Sequence, residues 1–386
     1  MLNIINRYGI LFSSLLLLVL TLTVMVRLGI GLSFDTNSYD RYATDLIQYQ
    51  FNIFTLIENH YPRLSTYAVP VYLIAFVKVV FGSDWKSFYL FLNLCFVAAM
   101  AWRFSMTLKK IGVCNIAITL GILLAITSID HLVWPRFVLT DTLYSLLILY
   151  TFTLPVHWNA KNPMSKIWFV LLLVLLMFTR PTALPVVLAC AGFAISYGHT
   201  GWLFKPRPLL SLLLILVSLF TLAWAFFFYQ YGLGNISMEK NLSYIYQFIA
   251  NGAIVTEREG VSISMSGSYI DYVYLYLLRL VYFFSPYSAD FSLIHNIANA
   301  IWLGSFFISL FAAYRFIQQG LFSRTQTSFI LGLITLIIAV TCFHSAILLD
   351  YDWRYRYPIV LPMLMIVSLV VSTALKHSFN RLQKEG

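Results

Sequence analysis

Apolar runs of eighteen residues or more recur from one end of this chain to the other, and that pattern decides what it can fold into. A run of that length crosses the bilayer as a helix. Inside hydrocarbon every backbone polar group must find a partner within the protein, so only helices and closed barrels span it. Barrel strands alternate in short segments, and that alternation is absent here. The expectation is an all-α polytopic membrane protein, a single transmembrane domain over residues 1–386 with no separate soluble domain. Only 10% of residues are charged, against about 25% in ordinary soluble chains. The first run, 10–32, is long and lacks a small-residue cleavage site, so it reads as a retained anchor.

Ten spans are expected, at about 10–32, 87–107, 115–133, 138–156, 167–179, 182–198, 209–231, 295–316, 327–349 and 357–375. Two more apolar stretches, about 64–81 and 272–285, carry Lys78 and Arg279 within them. They read as interfacial or partly inserted helices. With both termini cytoplasmic, the inner segments hold 13 of the 25 basic residues and one acid, Glu385. The other side holds 12 basic residues and 14 acids. That asymmetry follows the positive-inside rule. The net charge of +10 is therefore a topology signal, which argues against a nucleic-acid partner. The expected setting is a plasma membrane, taken as a bacterial inner membrane, with the bilayer as its solvent. Two outer loops result, 33–86 and 232–294; the second carries N-x-S sequons at Asn235 and Asn241.

The four cysteines, Cys95, Cys114, Cys190 and Cys342, lie in or beside apolar spans and read as small core residues. Their spacing suggests neither a disulfide framework nor a zinc site. No phosphate-binding Gly-rich loop, no dinucleotide fingerprint and no H-E-x-x-H is present. What remains for chemistry is a set of carboxylates, arginines and aromatics on the outer side.

The stretch "GLSFDTNSYDRYATDL" (Gly31 to Leu46) leaves the first span with Asp35, followed by Asp40 and Asp45. A carboxylate at such a position can act as a general base toward a hydroxyl; the plain alternative is a helix-end acid with no chemistry. If 38–50 is helical, Tyr39, Tyr42, Leu46 and Tyr49 share one face. "HYPRLSTYAVPVYLIAFVKVVFG" places His60, Arg63 and Lys78 around a proline-started helix. "FTRPTALP" sets Arg180 between two apolar runs, where a charge faces the protein interior or a polar cavity. "WPRFVLTDTLY" puts Arg136 and Asp141 at the next outer turn. "DYDWRYRYP" carries Arg354 and Arg356, whose guanidinium groups would both reach a phosphate if the segment curved. His60, His131, His295 and His344 lie outside or near outer span ends and read as interfacial.

These pieces in this order resemble the membrane glycosyltransferases of the GT-C type, nearest the protein O-mannosyltransferase and aminoarabinose-transferase branch. The matching residues are "FDTNSYDRYA" after the first span, "HYPRL…VVFG" around the second helix, the mid-chain "TRPT" and the late "RYRYP". The resemblance runs from about residue 10 to 370. Where the family has a second acid, this chain has Thr36, which leaves a role for a divalent metal open. The resemblance implies a sugar carried on a polyprenyl phosphate. That sugar would pass with inversion to a hydroxyl of a glycolipid, polysaccharide or protein acceptor. It implies Asp35 as the base, with Asp40 the second candidate. Arg354 and Arg356 would hold the lipid phosphate, and Arg180, Arg63, Lys78, Tyr39 and His60 would line the substrate. Two rival readings are a lipid-linked polysaccharide polymerase or ligase, and a transporter, whose repeat symmetry and midplane charges are absent.

Overall fold

The computed structural model describes residues 2–59, 61–158, 164–180, 182–200, 269–288, 291–346 and 353–385. Among them the chain is helical, with one isolated parallel bridge between Gly31 and Phe137. The helices are α1 (Leu2–Leu28), α2 (Phe34–Gln48), α3 (Ile53–Asn59), α4 (Ala68–Phe81), α5 (Trp85–Lys110), α6 (Asn115–Thr127), α7 (Ile129–Val133) and α8 (Asp141–Thr153). They continue as α9 (Met164–Met177), α10 (Ala183–Thr200), α11 (Tyr269–Phe283), α12 (Leu293–Gln318), α13 (Arg324–Ala346) and α14 (Tyr357–Glu385).

Five helical stretches among the described residues are long and apolar enough to cross a membrane: Arg7–Leu28, Ala68–Lys110, Leu293–Gln318, Arg324–Ser345 and Arg354–Phe379. A sixth appears if Asn115–Thr127 and Ile129–Arg136, bent by 75°, count as one span. The chain is thus a helical membrane protein whose described residues hold fewer full-length spans than the ten expected. The shortfall has local causes. The 115–133 run breaks at Ser128. The 138–156 run forms only the 13 residues of α8, because 138–140 are not helical and a 3-10 turn carrying Pro155 follows Thr153. The runs at 167–179 and 182–198 become shorter apolar helices. The run at 209–231 and both sequons lie outside the described residues.

The stretch 64–81, expected as an interfacial or partly inserted helix, is a 3-10 turn (Pro62–Tyr67) that leads into the α-helix α4. Helix α4 counts with α5 as one apolar stretch of 43 residues across the Gly82–Asp84 turn. At 1.5 Å per residue that is roughly 65 Å, about twice the bilayer hydrocarbon, so part of it projects past the core. The segment 272–285 is helical as far as Phe283, the end of α11.

Two cores result. Helix α14 is the axis of the larger one: it packs against α5, α6, α8, α12 and α13. Every residue from Tyr357 to Val370 is buried. Close approach there depends on glycine, since a Cβ on Gly121 would run into Ser368 and Phe104. The smaller core joins α2, α3 and α4 through Tyr39, Ala43, Leu46, Leu56, Val71 and Ile74. The tyrosine-bearing face expected around 38–50 is therefore real, but its buried members Tyr39 and Leu46 face protein rather than lipid. Of the cysteines, Cys190 is buried and Cys114 and Cys342 are half-buried; Cys95 is exposed, so the core assignment fails at that position. It sits on the outer face of α5 beside Phe91 and Trp102, which are also exposed.

The polar groups sort to two ends of the bundle. At one end Lys376 reaches Gly112 O (2.6 Å), Gln326 reaches Ile111 O (3.1 Å) and Ser372 accepts from Cys114 N (2.9 Å). The starts of α2, α8 and α14 meet at the other.

Candidate functional site

The site is assembled around the loop that leads into α8. Gly31 N donates to Arg136 O at 2.9 Å, and Thr36 Oγ1 donates to Val138 O at 3.1 Å. Asn93 Nδ2 holds the carbonyls of Pro135 and Phe137, both at 3.0 Å, and the Tyr89 hydroxyl donates to Leu139 O at 3.0 Å. Helix α2 starts with a capping box in which Ser33 and Thr36 each accept from the other's backbone N–H. Asp35 sits in that first turn, where the helix dipole favours an anion.

The bridge requires glycine at 31, because a Cβ there would run into the Phe137 ring. Gly31→Val is expected to cost about 1–3 kcal/mol as an overpacked contact. Thermal unfolding in detergent would read it, with recovery on adding Phe137→Ala. A Gly31→Val chain as stable as the parent would mean the α2 start is not tied to this loop.

Four charged side chains from four distant segments form one connected network here. Arg354 donates through Nη1 to Asp35 Oδ2 (2.9 Å) and through Nε to Asp141 Oδ2 (3.0 Å). Arg180 Nη1 bonds the other oxygen of Asp141. Exposure differs sharply along this chain. The Asp141 side chain is 1% exposed, those of Arg180 and Arg354 are 8% and 13%, and that of Asp35 is 45%. Asp35 is thus the accessible carboxylate, and Asp141 is a buried anion clamped between two guanidinium groups. Aromatic faces enclose the network: Tyr144 under Arg180 (5.6 Å) and Trp134 near Arg354 (6.0 Å). Tyr39 and Tyr67 pack with ring centroids 5.6 Å apart. Burial raises both phenols above their usual range, so they stay protonated and able to donate.

The remaining expected residues fall elsewhere. Asp40 pairs with Lys78 at 2.5 Å, and Lys78 also reaches Thr44 Oγ1 at 2.5 Å and lies over Trp85 (5.4 Å). This pair ties α2 to α4. Arg63 lies in the 3-10 turn before α4; His60 lies outside the described residues. Arg354 and Arg356 do not converge. They sit in a 3-10 turn, and Arg356 is fully buried on its own path. It donates to Ser285 O (3.0 Å) and Phe283 O (3.4 Å), lies 3.7 Å from Asp130 Oδ2 and stacks over Trp302 (5.3 Å). Its role is to join the α11 end, the α7 turn and the last helix. Of the histidines expected at the interface, His131 and His344 are buried. His344 stacks on Tyr355 at 4.6 Å.

Sequence reasoning placed Asp141 at an outer turn and gave it no role, yet it is the hub of the network. The available signal was an acid opening an apolar run, which demands a cation when buried. Among the described residues no three His, Cys, Asp or Glu side chains gather to hold a metal, and both carboxylates of the network are already engaged by arginine.

Fold and site together define a helical membrane protein with an arginine–carboxylate network at one end of its bundle. No protein-family model matches the chain, and no curated protein or solved structure matches it either.

Proposed function

We propose that the chain is a membrane glycosyltransferase of the GT-C type. It moves a sugar from a polyprenyl-phosphate donor to a hydroxyl acceptor on the extracytoplasmic side, with inversion. The reading includes about ten spans, α8, α9 and α10 among them. It also includes cytoplasmic termini and a bacterial inner-membrane location, with Asp35 facing outward. The observation that carries it is the connected network Asp35–Arg354–Asp141–Arg180: one accessible carboxylate beside two guanidinium groups at a bundle end.

Asp35 takes the proton of the acceptor hydroxyl. The hydroxyl oxygen forms its bond to the anomeric carbon as the bond from that carbon to the phosphate oxygen breaks. The electron pair leaves with the lipid phosphate. Arg354 and Arg180, held in place by Asp141, stabilise the charge that grows there. Arg354 is shared between two carboxylates in the resting arrangement. Donor phosphate therefore competes with Asp35 for its Nη1 edge, and winning that competition frees Asp35 for the acceptor. Arg356 is fully buried, with its Nη1 bonded to backbone carbonyls at the end of α11, and this reading gives it no part in phosphate binding.

Arg354→Ala is expected to weaken binding of a polyprenyl-phosphate sugar by about 10- to 100-fold, the loss of a charge-assisted contact to phosphate. Titration of labelled donor into purified protein reads it. Unchanged donor affinity would remove Arg354 from the phosphate site. Transfer that lengthens a polymer rather than adding one sugar would favour a lipid-linked polymerase.

A further inference from the structure

A second charged centre lies at the opposite end of the bundle, and the transfer chemistry does not use it. Arg103 is on α5, seven residues before its last lysine, Lys110, which puts it roughly 10 Å from that helix end. Its side chain is buried, with the residue 7% exposed. Nε donates to Thr153 Oγ1 at 2.7 Å, and the Tyr150 ring covers the guanidinium at 5.1 Å. Nη2 has no hydrogen-bond partner. Among the described residues no carboxylate pairs with Arg103. The groups nearby are cationic or neutral: His157, which bonds Thr107 at 3.2 Å, feels the charge of both Arg103 and Lys110.

A guanidinium inside a membrane protein is costly, and it persists by pairing or by serving a ligand. Two other buried arginines of the described chain lie close to acids. Arg180 has Asp141, Arg356 has two carbonyls and Asp130, and Arg279 has interactions of its own. Arg103 combines burial, an Nη2 without a hydrogen-bond partner and cationic neighbours, and among the described residues no carboxylate pairs with it. The guanidinium lies between α5 and α8, where its donors match an anion with several acceptor oxygens. The charge asymmetry of the sequence assigns this end to the cytoplasmic leaflet. The anion available there at that depth is a phospholipid headgroup, and basic pockets between transmembrane helices on the cytoplasmic side hold such groups.

We infer that Arg103, with Thr153, His157 and Lys110 around it, forms a binding site for the phosphate of an anionic phospholipid in the inner leaflet. Headgroup binding supplies the counter-charge that the protein itself does not, and locks the inner ends of α5 and α8 together. The inference stands independently of the glycosyltransferase reading.

The test is native mass spectrometry on the full-length protein, titrated with phosphatidylglycerol, phosphatidylcholine or inorganic phosphate. The expected result is retention of phosphatidylglycerol over phosphatidylcholine. Arg103→Gln should weaken phosphatidylglycerol binding by about tenfold, while Lys86→Gln, at the other end of α5, should leave it unchanged. Equal binding by wild type and Arg103→Gln would overturn the site. Inorganic phosphate binding at Arg103 without a phosphatidylglycerol preference would overturn the lipid source. If Arg103→Gln cannot be recovered folded, two readouts decide. The wild-type preference between the two lipids is the first, and Arg103→Lys, which keeps the charge but loses the planar fork, is the second. No lipid preference in wild type, or full binding by Arg103→Lys, would each contradict the proposal.

Discussion

Asp141→Asn is expected to destabilise the protein by about 3–5 kcal/mol, the cost of removing one partner from a buried ion pair. The Asp141 side chain is 1% exposed and bonds guanidinium groups on both oxygens. Its loss leaves Arg180, at 8% side-chain exposure, with no acid. An amide keeps the shape and one acceptor, so the effect isolates charge rather than volume. The burden falls where the α9–α10 turn and the start of α14 are held to α8, and those contacts join distant parts of the bundle. Thermal unfolding followed by size-exclusion in detergent would report it. Adding Arg180→Met should recover part of the loss, because an ion pair replaced as a whole costs far less than a pair broken in half. An Asp141→Asn chain that unfolds with the parent would mean the network is not a structural centre.

Asp35→Asn should behave in the opposite way. Its carboxylate is 45% exposed and touches only one edge of Arg354. A pair that open to solvent contributes about 0.2–1 kcal/mol, so folding should hardly change. Turnover should fall by about 100- to 10,000-fold if Asp35 is the general base. Donor binding should stay near that of the parent or tighten, because Arg354 loses a competitor for phosphate. Asp40→Asn is the matched control: Asp40 lies five residues on, in the same helix, but is bound to Lys78. Loss of α2–α4 cohesion, not of chemistry, is its expected consequence.

Much of this was legible in the sequence because it was local. Apolar run length announced α1, α12, α13 and α14. The helix expected over 38–50 is present, but it starts earlier, at Phe34, where Ser33 and Thr36 cap it. Arg180 between two apolar runs had to face inward, and it does. Span lengths were harder, since hydropathy averages over residues and does not see where helices stop. Pro155 sits in the 3-10 turn that ends α8, residues 138–140 form no helix before it, and the break at Ser128 turns one run into two helices.

The network itself was not legible. Asp35 and Arg354 are 319 residues apart, and Asp141 and Arg354 are 213 apart. No local pattern says which of the available acids an arginine will find. The same limit explains Arg356. Its spacing from Arg354 suggested a two-arginine phosphate clamp, but the 3-10 turn sends it toward the carbonyls that end α11.

The most direct measurement is movement of labelled sugar from a polyprenyl-phosphate donor to acceptor in membranes, comparing the unmutated protein with Asp35→Asn and Asp40→Asn at matched expression. The account predicts transfer by the unmutated chain, near-complete loss with Asp35→Asn and retained transfer with Asp40→Asn. No transfer by the unmutated chain, or equal transfer by all three, would contradict it.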